Sequence, residues 1–364
     1  MFIEPFGITR PTVDIATTSN NMASESTTAG LVVGKVLNRL TRHVGQHHVN
    51  RHWKTEVKGL KEWIGVLFRT RLTGKTVRIA IAFLLVYVVW GSTYLAIRIG
   101  VGSIPPFLLG ALRFLASGTI MLGLTFLRRE QLKLSRTDAT YASLVGVLLF
   151  VGGNGLVNYA EQTVASGLAA LIVAIVPLWI AGFESISGSR ERLGFKGTFG
   201  IVLGFVGVAV LMAPDLVGQK LEVAIGEVAL FIASLSWATG SWLGRHHKFQ
   251  TSLFLLSSVQ MFVGGTAMAG ISLVQNLFRS EVLGAVAMES WVAVAYLIVF
   301  GSCIGFTAYI YLLTNVAASR VATYAYVNPI LAVLLGALIL HEPLTVWIWT
   351  GMAIILFSLS LIRH

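Results

Sequence analysis

The chain has 364 residues, 55% of them hydrophobic and 12% charged, with a formal net charge of +11 and a mean hydropathy of +0.78. A soluble domain carries charge on about a quarter of its residues, so the composition excludes a soluble globular protein. The single cysteine, Cys303, excludes an intramolecular disulfide and a multi-cysteine zinc or iron–sulfur site, and an isolated thiol in an apolar run reads as a small core residue.

Residues 1–78 hold 12 Lys/Arg against 5 Asp/Glu, a composition distinct from the rest of the chain. The segment through Gly30 is rich in Ser, Thr and Asn and is expected to be disordered. Residues 35–72 mix basic residues with Trp53, Leu60, Trp63, Leu67 and Phe68. Three readings stand for that stretch: a basic amphipathic helix on an anionic membrane surface, a loose tail, or a gene start placed too far upstream. No apolar stretch of the signal-peptide kind precedes residue 76, and Glu4, Asp14 and Glu25 weigh against a transit peptide.

From about Thr76 onward the chain is a train of apolar stretches separated by short polar breaks. About 20 helical residues, each rising 1.5 Å, cross a hydrocarbon core of about 30 Å. Ten such stretches are expected, near 77–97, 105–127, 139–159, 165–187, 196–213, 224–244, 252–273, 290–313, 319–340 and 346–362. Runs this long are helices rather than barrel strands, because backbone groups facing lipid must be satisfied within their own segment.

Loop charges set the expected orientation. Arg128, Arg129, Lys133, Arg136, Arg190, Arg192, Lys196, Arg245, Lys248, Arg320 and Arg363 fall on one side of such a bundle, and only Arg98, Lys220 and Arg279 on the other. Basic loops stay cytoplasmic, which predicts a multi-pass plasma-membrane protein with both termini inside.

The sequence also repeats. Trp90-Gly-Ser-Thr has an echo in Trp237-Ala-Thr-Gly. At a constant offset of 152 residues, Tyr159, Val164-Ala165 and Pro177 match Tyr311, Val316-Ala317 and Pro329. Two five-helix copies, 77–213 and 224–362, fit this spacing. Because five is odd, the copies enter the membrane from opposite sides, an inverted repeat of the kind that supports alternating access.

An ordered set of motifs runs through this body. In the first half it comprises Trp90-Gly-Ser-Thr-Tyr-Leu-Ala-Ile-Arg98, Pro105-Pro106 with Arg113-Phe114, and Gly153-Asn154-Gly155 leading to Ala160-Glu161. In the second half it comprises Ser236-Trp237-Ala238, Tyr324-Ala-Tyr-Val-Asn-Pro329 and His341-Glu342-Pro343-Leu344. The set, over about 77–362, resembles the EamA-type branch of the drug/metabolite transporter superfamily, most closely its YedA-like inner-membrane members. The resemblance implies ten helices in two inverted repeats and export or exchange of small metabolites, often amino acids or drug-like compounds. The tail has no counterpart in it.

Arg113 lies about 12 Å inside span 2 by helical rise. A charge there costs about 2.5–3.5 kcal/mol on insertion scales unless it faces a wet cavity or a partner. A substrate-facing or pairing role stands against a structural ion pair or snorkelling to the outer interface. Asn154, Asn158 and Asn328 are amides inside apolar spans, and Pro177 and Pro329 free backbone carbonyls within theirs. Paired interruptions in corresponding helices point to a midplane site, with packing of the amides across helix interfaces as the alternative. Trp90, Tyr94, Trp237, Tyr324 and Tyr326 would form an amphipathic wall for an organic solute or sit at the membrane interface.

Glu161, Glu184 and Glu227 fall near span ends and read as interfacial residues, with a proton carrier as the alternative for each. Gly197, Gly200, Gly204 and Gly207 make a small-residue face for helix packing, within the monomer or between monomers. His246-His247, with no acidic residue close in sequence, reads as part of a solvated basic loop.

These features favour a secondary transporter for small organic metabolites, working as monomer or homodimer in the bilayer without cofactor, metal or nucleic acid. The alternatives are a membrane receptor or scaffold, and an integral-membrane transferase. The last would need clustered carboxylates or a phosphate-binding loop, neither of which occurs. No nucleotide-binding motif exists in this chain for a primary pump, though a separate ATPase subunit stays open.

Overall fold

The computed structural model describes residues 74–187, 194–218, 220–275, 277, 280–316, 318–321 and 323–362. The expected tail through residue 73 and the loop cations Arg190, Arg192, Arg279 and Arg363 lie outside them. The described residues from Arg78 onward pack as one unit.

Among the described residues there is no strand. Eight helices are long and apolar enough to cross a membrane: α1 (Gly74–Gly100), α2 (Pro106–Leu127), α3 (Arg136–Ala160), α4 (Ser166–Ile186), α5 (Phe195–Val217), α6 (Leu221–His246), α7 (Leu253–Val274) and α8 (Met288–Tyr309). Two shorter apolar helices follow, α9 (Tyr324–Ile339) and α10 (Val346–Ile362). The expected ninth span, 319–340, is thus split into a short helix, Ala318–Val321, a turn, and α9.

Local chemistry explains several boundaries. Pro106 occupies the first turn of α2, where its missing N–H costs nothing. The side-chain oxygens of Ser135 and Ser252 cap α3 and α7, accepting from Asp138 N at 3.0 Å and Leu255 N at 3.2 Å. α4 breaks at Ala174-Ile175, just ahead of Pro177, and restarts at Val176. Pro329, by contrast, lies inside continuous α9. The expected pairing of two broken helices is therefore one-sided. The Asn328 amide, with its nitrogen turned toward the Tyr87 and Tyr324 carbonyls at 3.2 Å each, bridges α9 to α1 beside that proline.

Both α3 and α8 carry a π-helical stretch, Val147–Gly155 and Leu297–Ile304. In α3, Ser236 Oγ donates to Leu148 O at 2.8 Å and Asn154 Nδ2 to Leu149 O at 3.2 Å, so side chains serve carbonyls of the widened turn. In α8, Trp90 Nε1 donates to Gly301 O at 3.2 Å.

α2 packs along α7 and α5 along α10, while α3 meets α6 and α4 meets α9. Small residues permit the close approaches. Gly200 and Gly207 lie against Ser358 and Ile355 of α10, so the glycine face of α5 is used within the chain. Without a hydrophobic drive between helices in lipid, such contacts hold a bundle through dispersion and interhelical hydrogen bonds.

Candidate functional site

The helices converge on a cavity of about 140 Å³, lined by residues from α1, α2, α3, α4, α6, α8 and α9. Trp90 and Tyr94 enter from α1, Arg113 from α2, Asn154 from α3 and Pro177 from α4. Trp237 enters from α6, and Tyr324, Asn328 and Pro329 from α9. Nine of the eleven residues singled out from sequence therefore share one space.

Asn158 and Tyr326 are outside the lining. Asn158 is fully buried and donates through Nδ2 to Pro106 O at 3.1 Å, tying α3 to α2. It lies one helical turn, about 6 Å, beyond Asn154 and is held against α2 instead of entering the cavity. Tyr326 is two residues, about 200° of helix, beyond Tyr324. Its hydroxyl donates to Leu359 O at 2.7 Å, linking α9 to α10.

Trp90 is the centre of the aromatic wall. Its ring lies 5.2 Å from Tyr324, edge to face at 89°, and 5.8 Å from Phe306 in a similar arrangement. Such pairs contribute about 0.5–1.5 kcal/mol beyond burial and hold the rings in place. Phe114, Phe150 and Phe306 also line the cavity. Sequence reasoning missed them because phenylalanine is unremarkable in an apolar span. Phe114 beside Arg113 and Phe150 beside the glycine-rich stretch of α3 carried a weak positional signal, and Phe306 carried none.

Arg113 is 5% exposed. Its Nε donates to Ser302 Oγ at 3.0 Å, its Cζ lies 4.8 Å from the Phe114 ring centre, and Nη1 is buried with no hydrogen-bond partner. Among the described residues no carboxylate forms an ion pair with it; the three ion pairs join other residues. The cavity thus holds one cation in a mostly apolar and aromatic shell, with the Asn154 and Asn328 amides as further polar groups.

The acidic residues near span ends divide. Glu184 behaves as expected, pairing with Arg245 at 2.6 Å at a partly exposed site. Glu161 and Glu227 correct the interfacial reading: each is 0% exposed, with both carboxyl oxygens unpartnered. Hydropathy marked the span ends but not the neighbouring helices that cover them. His247 also departs from the solvated-loop reading. Its Nε2 is 2.7 Å from Asp138 Oδ1 and its ring stacks on Tyr141 at 4.0 Å. The carboxylate comes from a helix 109 residues away in sequence. Among the described residues, no group of three or more His, Cys, Asp or Glu could hold a metal ion.

The architecture defines a polytopic helical membrane protein with a buried, aromatic-lined central cavity. The EamA-like transporter family matches residues 77–213 and 224–363, and the chain belongs to that family. It is 36% identical over 283 residues to the uncharacterized inner membrane transporter YedA of Escherichia coli (strain K12), covering 77% of this chain and 89% of that protein. It is 23% identical over 284 residues to the uncharacterized transporter YoaV of Bacillus subtilis (strain 168), covering 77% and 94%. A solved crystal structure, 20% identical, superposes with a TM-score of 0.55 over 80% of this chain and 97% of the other, a likeness of fold.

Proposed function

We propose that this protein is a secondary transporter of the inner membrane, moving small amino-acid-like or drug-like organic solutes by alternating access. The observation that carries the reading is the central cavity, built from helices of both halves and lined by Trp90, Tyr324, Trp237 and the underused guanidinium of Arg113. The function needs no covalent chemistry: aromatic faces hold the apolar body of a solute, and polar groups orient it.

In this reading the chain forms ten membrane helices as two inverted five-helix repeats, 77–213 and 224–362, with both termini cytoplasmic. The π-helical stretches starting at Val147 and Leu297, 150 residues apart, support the repeat. So do the contacts α2–α7, α4–α9 and α5–α10, each between helices five apart. Rocking of one repeat against the other exposes the cavity alternately to the two sides. The break ahead of Pro177 lies on the cavity wall, where such a motion needs a hinge. In this reading residues 1–70, whose composition is distinct from the repeats, are dispensable for transport.

Arg113 supplies the recognition element for an anionic group such as a carboxylate. Buried guanidinium donors are weakly hydrated and match carboxylates in a forked geometry. The test is to reconstitute purified protein in liposomes loaded with a mixed metabolite pool and identify what leaves. Selective escape of a small organic class, above that from empty-protein liposomes, is expected; no escape above that control rejects the reading.

A further inference from the structure

Resting on the transporter reading, a second site lies away from the cavity, in the turn that joins α3 to α4. Glu161 follows the last residue of α3 and is completely buried. Neither of its carboxyl oxygens has a hydrogen-bond partner. The neighbouring cation forms no ion pair with them: Arg98 Nη1 at the end of α1 donates to the backbone carbonyl of Glu161.

A second carboxylate nearby is treated in the opposite way. Glu342, from the loop between α9 and α10, accepts from Ser166 N at 2.7 Å through Oε1 and from Gly167 N at 3.0 Å through Oε2. It thereby caps the N-terminus of α4, where backbone donors and the helix dipole stabilise a negative charge. Of two carboxylates in one neighbourhood, Glu342 is held by two backbone donors, whereas neither carboxyl oxygen of Glu161 has a donor within hydrogen-bond distance and only the backbone of Arg98 approaches it.

The charged and titratable groups around Glu161 come from three directions. α1 contributes Arg98 and Tyr94, the latter within electrostatic reach of the carboxyl. The α9–α10 loop contributes Glu342 and the exposed His341 before it. α6 packs on the same turn through Gly226, with exposed Glu222 and buried Glu227 close along that helix. Burial pushes the Glu161 carboxyl well above the usual range, the Glu342 charge adds to this, and Arg98 opposes it.

The position has mechanical meaning. Tyr94 of α1, within electrostatic reach of the Glu161 carboxyl, lines the cavity and so stands, on one side, between the turn and the solute space. The other side is seamed to the second half of the chain through Glu342, with Val333 of α9 pressed on Gly167. Rocking of the two halves must rearrange this seam.

We propose that Glu161 is the proton-binding site that couples solute movement to proton movement, taking a proton on its carboxylate when the seam opens to water and holding it when the seam closes. No other bond forms or breaks; the proton comes from and returns to water.

Protonation is tested without any solute, by infrared difference spectra of the purified full-length protein across a pH titration. A protonated-carboxyl band persisting well above pH ~4.3, where a free glutamate titrates, is expected in the wild type. Glu227 is buried and unpartnered as well, so the spectra are compared in a Glu227→Gln background, where Glu161→Gln should lose the band and Glu161→Asp should retain it at a shifted position. Absence of the band in that background, or its survival there after Glu161→Gln, overturns the proposal even where transport is intact. Coupling is then read in proteoliposomes with the same metabolite pool and pyranine inside. A one-unit pH gradient should change solute distribution by up to about tenfold in the wild type, since one unit is a tenfold ratio of proton activity. In Glu161→Gln the gradient should have no effect. If Glu227→Gln removes the gradient response and Glu161→Gln does not, the coupling role is overturned. If no solute moves while the band still depends on Glu161, the transport reading fails and the proton-binding assignment stands without its coupling role.

Discussion

Arg113 and Ser302 are joined across the bundle, Arg113 Nε donating to Ser302 Oγ at 3.0 Å from α2 to the π-helical stretch of α8. One donor of the guanidinium is used to fix the side chain, while Nη1 has no partner. A hydroxyl is a neutral acceptor, so the charge is held in place without being neutralised.

Arg113→Lys should insert normally but transport anionic solutes more weakly, because an ammonium keeps the charge and loses the forked geometry. Arg113→Gln should weaken anionic solutes further than neutral ones. A charge-assisted hydrogen bond is worth about 1.5–3 kcal/mol, or roughly 10- to 100-fold in affinity. Concentration-dependent uptake by the three proteins in proteoliposomes checks this; equal transport rejects the role, and failure of both variants to insert would assign Arg113 to the fold.

Gly153 borders the cavity, and an added Cβ would stand 2.8 Å from the Trp237 ring. Gly153→Val should therefore displace that ring, fill the space and reduce solute movement by tenfold or more, with membrane abundance unchanged. Gly270→Val is the comparison, since a Cβ there meets nothing within 4 Å. Equal losses in both variants would show that bulk in any helix, and not the cavity, is responsible.

Glu342→Gln should destabilise the bundle by about 1–3 kcal/mol, because two backbone donors lose their charged acceptor. Thermal unfolding in detergent reads the change. Glu184→Gln should cost no more than about 1 kcal/mol, since its partner Arg245 is on a partly exposed surface.

Glu161 gives a pH dependence of definite sign. Its folded carboxyl binds a proton more tightly than the unfolded chain does, burial being the main cause and the charge of Glu342 the next. The resulting stabilisation is fully present below about pH 4.3, the unfolded value. It is lost as pH rises toward the folded value, above which the profile flattens. Within that window wild type should lose up to about 1.4 kcal/mol per pH unit relative to Glu161→Gln. Parallel unfolding profiles for the two proteins would contradict this.

Topology is checked with reporter fusions. Fusions at Lys133 and Lys248 should read cytoplasmic and a fusion at Gly218 external. Inversion after any one helix would break the ten-helix arrangement.

Hydropathy alone carried the helices, because a chain in lipid must satisfy its backbone within each segment whatever its neighbours do. It also brought out most of the cavity. An arginine, amides and prolines are costly inside an apolar span, so Arg113, Asn154, Asn328 and Pro177 stand out before any fold is known. Their cost is a local property, and a local property is readable along the sequence.

What only the tertiary structure decided depends on facing. The contact of Asn158 with the Pro106 carbonyl of α2 separates it from Asn154, and a residue's angle on its helix separates Tyr324 from Tyr326. Asp138 reaches His247, and Glu342 caps α4, across more than a hundred residues of chain. Glu161 looks like any residue at a span end until α1, α6 and the α9–α10 loop close around it. Burial and hydrogen-bond supply are sums over neighbours from distant segments, and those sums set whether a carboxyl carries a charge or a proton.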